Sequence, residues 1–574
     1  MGVGAVVKLY LANGQVQTRR LITSRGFLSS VSSTLHFGLA DGAPFALEVH
    51  WMDGKIQRLE DILPNQQLTL TYADAAMAPV ADEKPSYLFR REASSFAHVD
   101  PPYNDYQKQI LLPAKLSQTG PAATTGDVNG DGLDDLFLGG GHTQAGQVLI
   151  ARKSGGFQRQ ASVAFERDKR REDVAACFFD ADNDGDEDLY VVSGSYEFAP
   201  NSKMLVDRLY LNDGNGNFTK SDGLIPDMAT AGAVVKPADF DQDGDIDLFV
   251  GGRVMPGGYP FPPESYLLIN TGGRFSLAGE ETLLGLQNIG MVTDAAWNDL
   301  DGDKDLDLIV TGEWMGLEVF TNEAGQLVKS DAYPSLAATK GWWNRLLIAD
   351  IDGDGDQDIV AGNLGLNAKY HATPAKPLHV YTKDFDYNGT ADVFLAKYYK
   401  GEEVPVRGKT CTAQQLPHLA NKISTYADFA SRDIEGILGP GIESALHYEA
   451  TEFRSGIFRN EAGAFRFSPL PNSLQQAPVN SLLFEDFDAD GVPDLLAAGN
   501  NYMPEIETTR YDAGIGQFLK GEGSGQFLPV SHQASGFFAN KDVRHLLKVG
   551  NTVWVINNND QHEIFAVSKT VGLS

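Results

Sequence analysis

Short apolar runs, bounded by Gly, Asn and Asp, recur along the chain from about residue 122 onward. VAACFF (174–179), DLYVVSG (188–194), DLFVGG (247–252) and NRLLIAD (344–350) are typical. Each is too short for a stable helix and rich in β-branched or aromatic residues, so each predicts a strand. Behind each pair comes a hairpin pattern with a Gly-containing turn, as in GQVLIARKSGGFQ, RLYLNDGNGNFTK, YLLINTGGRFSL, LEVFTNEAGQLV, GIFRNEAGAFRFS and GQFLKGEGSGQFL. Four antiparallel strands repeating every 50 to 60 residues predict the blades of a β-propeller. Units begin near residues 122, 174, 233, 292, 344 and 480, and DVRHLLKVGNTVWVINNNDQHEIFAV (542–567) makes a last one. That predicts an all-β, seven-bladed propeller, with eight blades as the alternative.

Two stretches depart from this pattern. Residues 1–75 hold the strand-like runs AVVKLYLA, QVQTRRLIT, LHFGL, FALEVHW and QLTLTY, which predict a small β domain. Residues 76–106 are rich in Pro and Ala and read as a linker into a propeller spanning 107–574. Around residues 400–455 the strand pattern breaks. There AQQLPHLANKISTYADFASRDIEGILG puts Leu416, Leu419, Ile423, Tyr426, Ile434 and Leu438 near helical spacing. A helical insertion is expected, either packed on the propeller or covering a binding face.

Between the first two strands of most units lies a nine-residue acidic loop. The loops are DVNGDGLDD (127–135), DADNDGDED (180–188), DFDQDGDID (239–247), DLDGDKDLD (299–307), DIDGDGDQD (350–358), DFDYNGTAD (384–392) and DFDADGVPD (486–494). The sixth is expected inside the fifth blade, between its later strands. Oxygen-bearing side chains fall at positions 1, 3, 5 and 9, and Gly usually at 6. Calcium takes six to eight hard oxygen ligands, and alternate side chains of a tight loop can point at one ion. Position 7 would supply a backbone carbonyl, so its side chain is free to vary. An EF-hand needs Glu at position 12 and flanking helices. Position 12 here is Leu138, Val191, Val250, Val310, Ala361, Leu395 and Ala497, and strands flank every loop.

The candidate calcium ligands are therefore Asp127, Asn129, Asp131, Leu133 and Asp135, then Asp180, Asp182, Asp184, Asp186 and Asp188. Asp239, Asp241, Asp243, Asp245 and Asp247 form the third set, and Asp299, Asp301, Asp303, Asp305 and Asp307 the fourth. Asp350, Asp352, Asp354, Asp356 and Asp358 form the fifth. The last two are Asp384, Asp386, Asn388, Thr390 and Asp392, and Asp486, Asp488, Asp490, Val492 and Asp494. Weaker sites are expected at 299–307, where Lys304 replaces Gly, and at 384–392, with three acidic residues. Pro493 beside the last ligand weakens 486–494.

Charge changes the picture further. The net charge is −31 over 574 residues, and the loops hold 32 of the 77 Asp and Glu residues. Up to seven bound Ca²⁺ would neutralise much of that repulsion. The acidity argues against nucleic acid as a partner, because phosphate binding needs a basic surface. Two cysteines exclude a disulfide framework, and Cys177 inside VAACFF reads as a buried thiol. No apolar run is long enough to span a bilayer. The start, MGVGAVVKLYLANG, lacks the basic and apolar segments of a signal peptide, so the chain is expected to be part of a longer exported protein.

The loops resemble the FG-GAP/VCBS repeats of integrin-α-like propellers. GAVVKLYLANG, LHFGLAD and VHWMDGKIQRLEDILPNQQLTL resemble the ASPIC/UnbV domain. Together with GWWNRLLIADIDGDGDQDIVAGNLGLN and GNNYMPEIETTRYDAGIGQFL, they are similar to the cartilage acidic protein family and its large Bacteroidetes-type relatives. The resemblance implies calcium binding outside the cell, at its surface or in the periplasm, with roles in adhesion or carbohydrate capture. No GxSxG, HExxH or P-loop is present. A non-catalytic module binding a glycan or a surface protein is the leading expectation. A scaffold part of a larger surface protein is the alternative, and a polysaccharide-acting enzyme is a third reading. Candidate contact residues are Trp342 and Trp343, for stacking on sugars, with Asn363 and Asn367 in the following loop. Packing between blades is the competing reading for the tryptophans.

Overall fold

A computed structural model describes residues 2–39, 43–77, 87–279 and 282–568. The chain divides into two compact units, Met1–Ser86 and Tyr87–Ser574.

The first unit is one five-stranded sheet, in the order Val16–Arg20, Val6–Leu11, Pro44–His50, Lys55–Glu60, Ala76–Met77. Val7, Leu9 and Leu11 alternate into its core with Leu47 and Val49, the period-two pattern of a sheet with one buried face. The expected strands LHFGL and QLTLTY are not strands. Leu35, Phe37, Leu39 and Leu70 pack on the core, but their backbone joins no ladder. KIQRLE forms the fourth strand instead, because a strand at an open face needs few apolar residues.

The second unit is an all-β propeller. Its first strands are Ala123–Gly126, Asp173–Phe179, Ala231–Ala238, Met291–Asn298, Arg345–Ala349, Ser481–Glu485 and Val543–Val549, and each contacts the next around a closed cycle. Second strands such as Asp307–Met315 and Asp494–Ala498 are buried along their whole length. They are sandwiched between neighbouring sheets, which is why they read as continuous apolar runs rather than alternating ones. Apolar clusters join each sheet to the next. Tyr190 and Leu209 meet Val235 and Leu248, for instance, and Trp554 and Ile556 meet Leu136 and Leu149 where the cycle closes. The last sheet takes its fourth strand from far upstream: Phe89–Glu92 pairs with Glu563–Val567. The stretch expected to be a linker thus carries a propeller strand, while residues 78–86 lie outside the described residues.

The insertion differs from expectation. It leaves the fifth sheet between the second strand, Asp358–Gly362, and the third, Gly456–Glu461, rather than between later strands. It forms a separate four-stranded sheet, ordered Glu402–Pro405, Asp392–Tyr399, Leu378–Lys383, Leu446–Ala450, and the 384–392 loop belongs to that sheet. Four short helices follow, Lys409–Gln415, Leu419–Lys422, Tyr426–Ala430 and Ile434–Leu438. Leu416, Leu419, Ile423 and Ile434 pack on Phe394 and Ala396 of the sheet. Tyr426 opens its helix and is exposed, and Phe429 and Ile437 take the buried places.

Candidate metal centres

All seven acidic loops adopt one backbone. In each, the N–H of position 6 donates to Oδ2 of the position 1 aspartate, at 2.8 Å for Gly132 to Asp127 and 3.2 Å for Gly244 to Asp239. That closure needs a left-handed residue at position 6. Gly supplies it in six loops, and Lys304 supplies it in the fourth at φ +82°. Position 4 is left-handed too, and there Asn183, Gln242, Tyr387 and Ala489 accept the conformation without being Gly. Left-handed backbone costs an L-residue about 1–2 kcal/mol.

The position 9 aspartate is buried in every loop, at 0–2% exposure for Asp135, Asp188, Asp247, Asp307, Asp358, Asp392 and Asp494. In six loops, the third excepted, one of its oxygens accepts the N–H of position 2, as Asp188 does from Ala181 at 3.0 Å. In six loops the other accepts an N–H of the third strand, as Asp307 does from Asn322 at 2.9 Å. Burial pushes these carboxyls up, to about 7 for Asp188, Asp247 and Asp392 and to about 6 for Asp135, Asp307 and Asp494.

The carboxylates converge. Asp180, Asp182 and Asp188 bring one oxygen each within 4.8 Å of one another, and so do Asp239, Asp241 and Asp247. Asp350, Asp352 and Asp358 and then Asp384, Asp386 and Asp392 repeat the arrangement, while the fourth loop gathers Asp299, Asp301 and Asp303. In the first loop Asp127 and Asn129 both accept the Asp131 N–H at 3.0 Å. At position 5, Asp131, Asp184, Asp243, Asp303, Asp354, Asn388 and Asp490 accept the N–H of position 7, which fixes the direction of the position 7 residue, including Leu133, Thr390 and Val492. Position 7 side chains bind elsewhere: Asp245 and Asp356 accept hairpin N–H groups of Gly272 and Ala462, and Asp305 accepts Gln242 Nε2 of the preceding loop at 2.6 Å. Asp186 is pushed up to about 6 by burial, then by Asp184, Asp182 and Asp180.

Calcium fits these loops by their donors. Asp180 Oδ1, Asp182 Oδ1, Asp239 Oδ1, Asp247 Oδ2, Asp352 Oδ1 and Asp386 Oδ1 are buried without a hydrogen-bond partner among the described residues. Buried carboxylate oxygens without donors are costly unless a cation serves them. The last loop has a cation of its own. Lys520 Nζ lies 2.5 Å from Asp488 Oδ2 and 2.8 Å from Asp490 Oδ2. Its ammonium pairs two of the carboxylates, at positions 3 and 5, that would hold an ion in this loop.

Residues 1–77 match the family model for ASPIC and UnbV. Residues 127–191, 180–250 and 299–361 match that of the FG-GAP-like repeat. The chain carries an N-terminal ASPIC/UnbV domain and three FG-GAP-like repeats. Among curated proteins none matches it. Solved structures similar to this FG-GAP-repeat chain include Sqt1 of Saccharomyces cerevisiae, at 11% identity over 79% of this chain and 98% of that one, TM-score 0.36. YCF48 bound to D1 peptide matches at 9% over 83% and 99%, TM-score 0.34. The Aleuria aurantia lectin, in complex with Fucα1-6GlcNAc, matches at 10% over 63% and 90%, TM-score 0.25. Scores this low carry no argument about function here.

The FG-GAP repeats contain a residue whose role the sequence pattern concealed. The Asn that opens each turn at 212, 270 and 322 donates through Nδ2 to the carbonyl of position 2 of the preceding loop, namely Val128, Ala181 and Phe240, at 2.6–2.9 Å. Its Oδ1 accepts a turn N–H, from Gly216, Gly273 or Gly325. The Asn therefore pins one blade to the acidic loop of the blade before it.

Burial removes the open sugar-stacking surface expected at Trp342 and Trp343. Trp343 is fully buried between the fourth and fifth sheets, against Phe458 and Phe467. Trp342 is 9% exposed and meets Trp314, Tyr370 and Phe453 edge-on. Asn363 is fully buried, accepting the Trp342 N–H and donating to Glu452 O. Trp342 lies in the short strand Gly341–Trp342, and Trp343 and Asn363 each directly follow a strand, where the packing of neighbouring sheets rather than local pattern decides exposure. Asn367 is exposed, 3.3 Å from Gln476 O. Cys177 is buried, and burial holds its thiol well above the usual range.

Proposed function

We propose that this protein is a calcium-binding, seven-bladed propeller outside the cell, at the cell surface or in the periplasm. It captures a glycan or a surface protein and performs no catalysis. The observation that carries the calcium reading is the set of buried, partnerless aspartate oxygens gathered in loops of one shared backbone. FG-GAP-like repeats support a binding role. Calcium on the loops would rigidify one end of six blades and neutralise the acidic rim between neighbours. Among the described residues no helix is long and apolar enough to cross a membrane. The test is retention of the purified chain on immobilised polysaccharides, with calcium and with chelator. Calcium-dependent retention supports glycan capture; no retention on any glycan moves the reading to a protein partner.

A further inference from the structure

The acidic loops follow the C-terminal ends of the first strands. At the opposite ends, where those strands begin, lies a cavity of about 190 Å³. Val174, Ala233, Thr293, Arg345 and His545 enter its wall from five of the inner strands. The charge there runs against the whole molecule. In a chain of net charge −31, the wall holds four fixed cations, Lys115, Arg253, Arg345 and Arg544, and one carboxylate, Glu313.

The cations are held in place from behind. Arg253 Nη2 pairs with Glu313 at 2.6 Å and Arg544 Nη2 with Asp542 at 3.0 Å. Arg345 Nη2 donates to His545 Nδ1 at 2.8 Å, and His545 Nε2 donates to Pro121 O at 3.1 Å. Neutral His545 is thereby an acceptor that orients the guanidinium, whose Nη1 lies 3.7 Å from the buried Asp294 carboxylate. Lys115 Nζ donates to the Tyr103 carbonyl at 2.8 Å, a contact that leaves the charge whole. Donors remain unused: Arg253 Nη1, Arg544 Nε and Trp342 Nε1 have no acceptor among the described residues, nor does the Tyr511 hydroxyl have a partner. Trp342 and Tyr511 are each more than nine-tenths buried and belong to the same wall.

We propose that this cavity binds a small organic carboxylate. Guanidinium forks match a planar carboxylate through paired, charge-assisted hydrogen bonds. Leu364, Met503 and the Trp342 indole line the same wall and give a carbon skeleton apolar contact, which inorganic phosphate cannot use. The polar and apolar mixture is that of a small-molecule site. Binding here asks nothing of the acidic loops, so it stands or falls separately from calcium.

The test uses the full chain, with calcium and with chelator, titrated by calorimetry while tryptophan fluorescence is followed. The probes are galacturonate, its neutral parent galactose, acetate and inorganic phosphate. Galacturonate is expected to bind one-to-one, with a fluorescence change, and galactose and phosphate at least about tenfold more weakly, the loss expected when a charge-assisted fork goes unused. Arg544→Gln and Lys115→Met should each weaken galacturonate by about tenfold or more. Lys115→Met is the safer variant for folding, because that ammonium touches only a backbone carbonyl, and circular dichroism checks both. Equal binding of phosphate or galactose, unchanged binding in a folded Lys115→Met chain, or no binding of either carboxylate overturns the proposal.

Discussion

Lys520→Met removes the ammonium that bridges Asp488 and Asp490 and keeps the aliphatic stem. Calcium can enter the 486–494 loop of the parent chain only by displacing that ammonium. Two charge-assisted contacts, at 2.5 and 2.8 Å, are then lost. Each is worth about 1.5–3 kcal/mol when well formed. Lys520 retains 27% exposure, so screening reduces the pair to about 2–4 kcal/mol. That corresponds to about 30- to 1,000-fold in calcium affinity at this one loop. The variant should therefore bind one calcium more than the parent in the low millimolar range, counted by native mass spectrometry and by calorimetry. In chelator it should melt below the parent, because Asp488 and Asp490 lose the cation that pairs them. In calcium it should recover. Identical calcium counts, together with an unchanged melt in chelator, would refute the view that a lysine occupies this site.

Three other outcomes follow from the same geometry. Asn322→Ala leaves Phe240 O, Leu306 O and the Gly325 N–H without their side-chain partner, so denaturant unfolding should show a loss of about 2–4 kcal/mol, whereas Asn215→Ala on the exposed part of another turn should stay within about 0.5 kcal/mol. Lys304→Gly trades left-handed strain against the entropy of Gly, for a net gain of about 0–1 kcal/mol in chelator, and removes a positive charge from the loop; calcium affinity that falls instead of rising would count against this reading. The third concerns pH. Burial raises the position 9 carboxyls of six loops from 3.8 to about 6–7 in the folded, metal-free chain, and that of Asp358 in the same direction. The folded state then binds more protons than the unfolded one across that interval, so metal-free stability falls as pH rises from about 4 to 7. Calcium needs those groups ionised, so the melting gap between calcium and chelator should widen from about pH 5 to about pH 8, with proton release on binding; a gap that narrows would contradict it.

Much of this molecule is legible in its residues. The acidic loops announce themselves because calcium-type chemistry writes oxygen at alternate positions, and the first strands begin close to where the apolar runs begin. The position 9 aspartate carries a second role that spacing does not reveal: it ties loop to third strand, a contact across the hairpin that no local pattern encodes. The turn asparagines suit the turns they open, which local chemistry alone explains, while their bonds to the preceding blade exist only once neighbouring blades pack. Trp342 and Trp343 show the converse difficulty. Two aromatic residues after a Gly suit a contact loop as well as a core, and only the packing of neighbouring sheets decides between them. The basic cavity lies beyond sequence reading altogether, because its cations come from positions as distant as 115 and 544. LHFGL alternates correctly for a strand and packs its apolar side, yet has no neighbour to pair with.

The most direct measurement is calcium binding by the metal-stripped full chain, with melting followed in parallel. Several calcium ions bound per chain at millimolar concentration or below, and a melt that rises with calcium and falls back with chelator, are the results this account predicts. A stripped chain that takes up no calcium, and melts at the same temperature with and without it, would contradict the account at its centre.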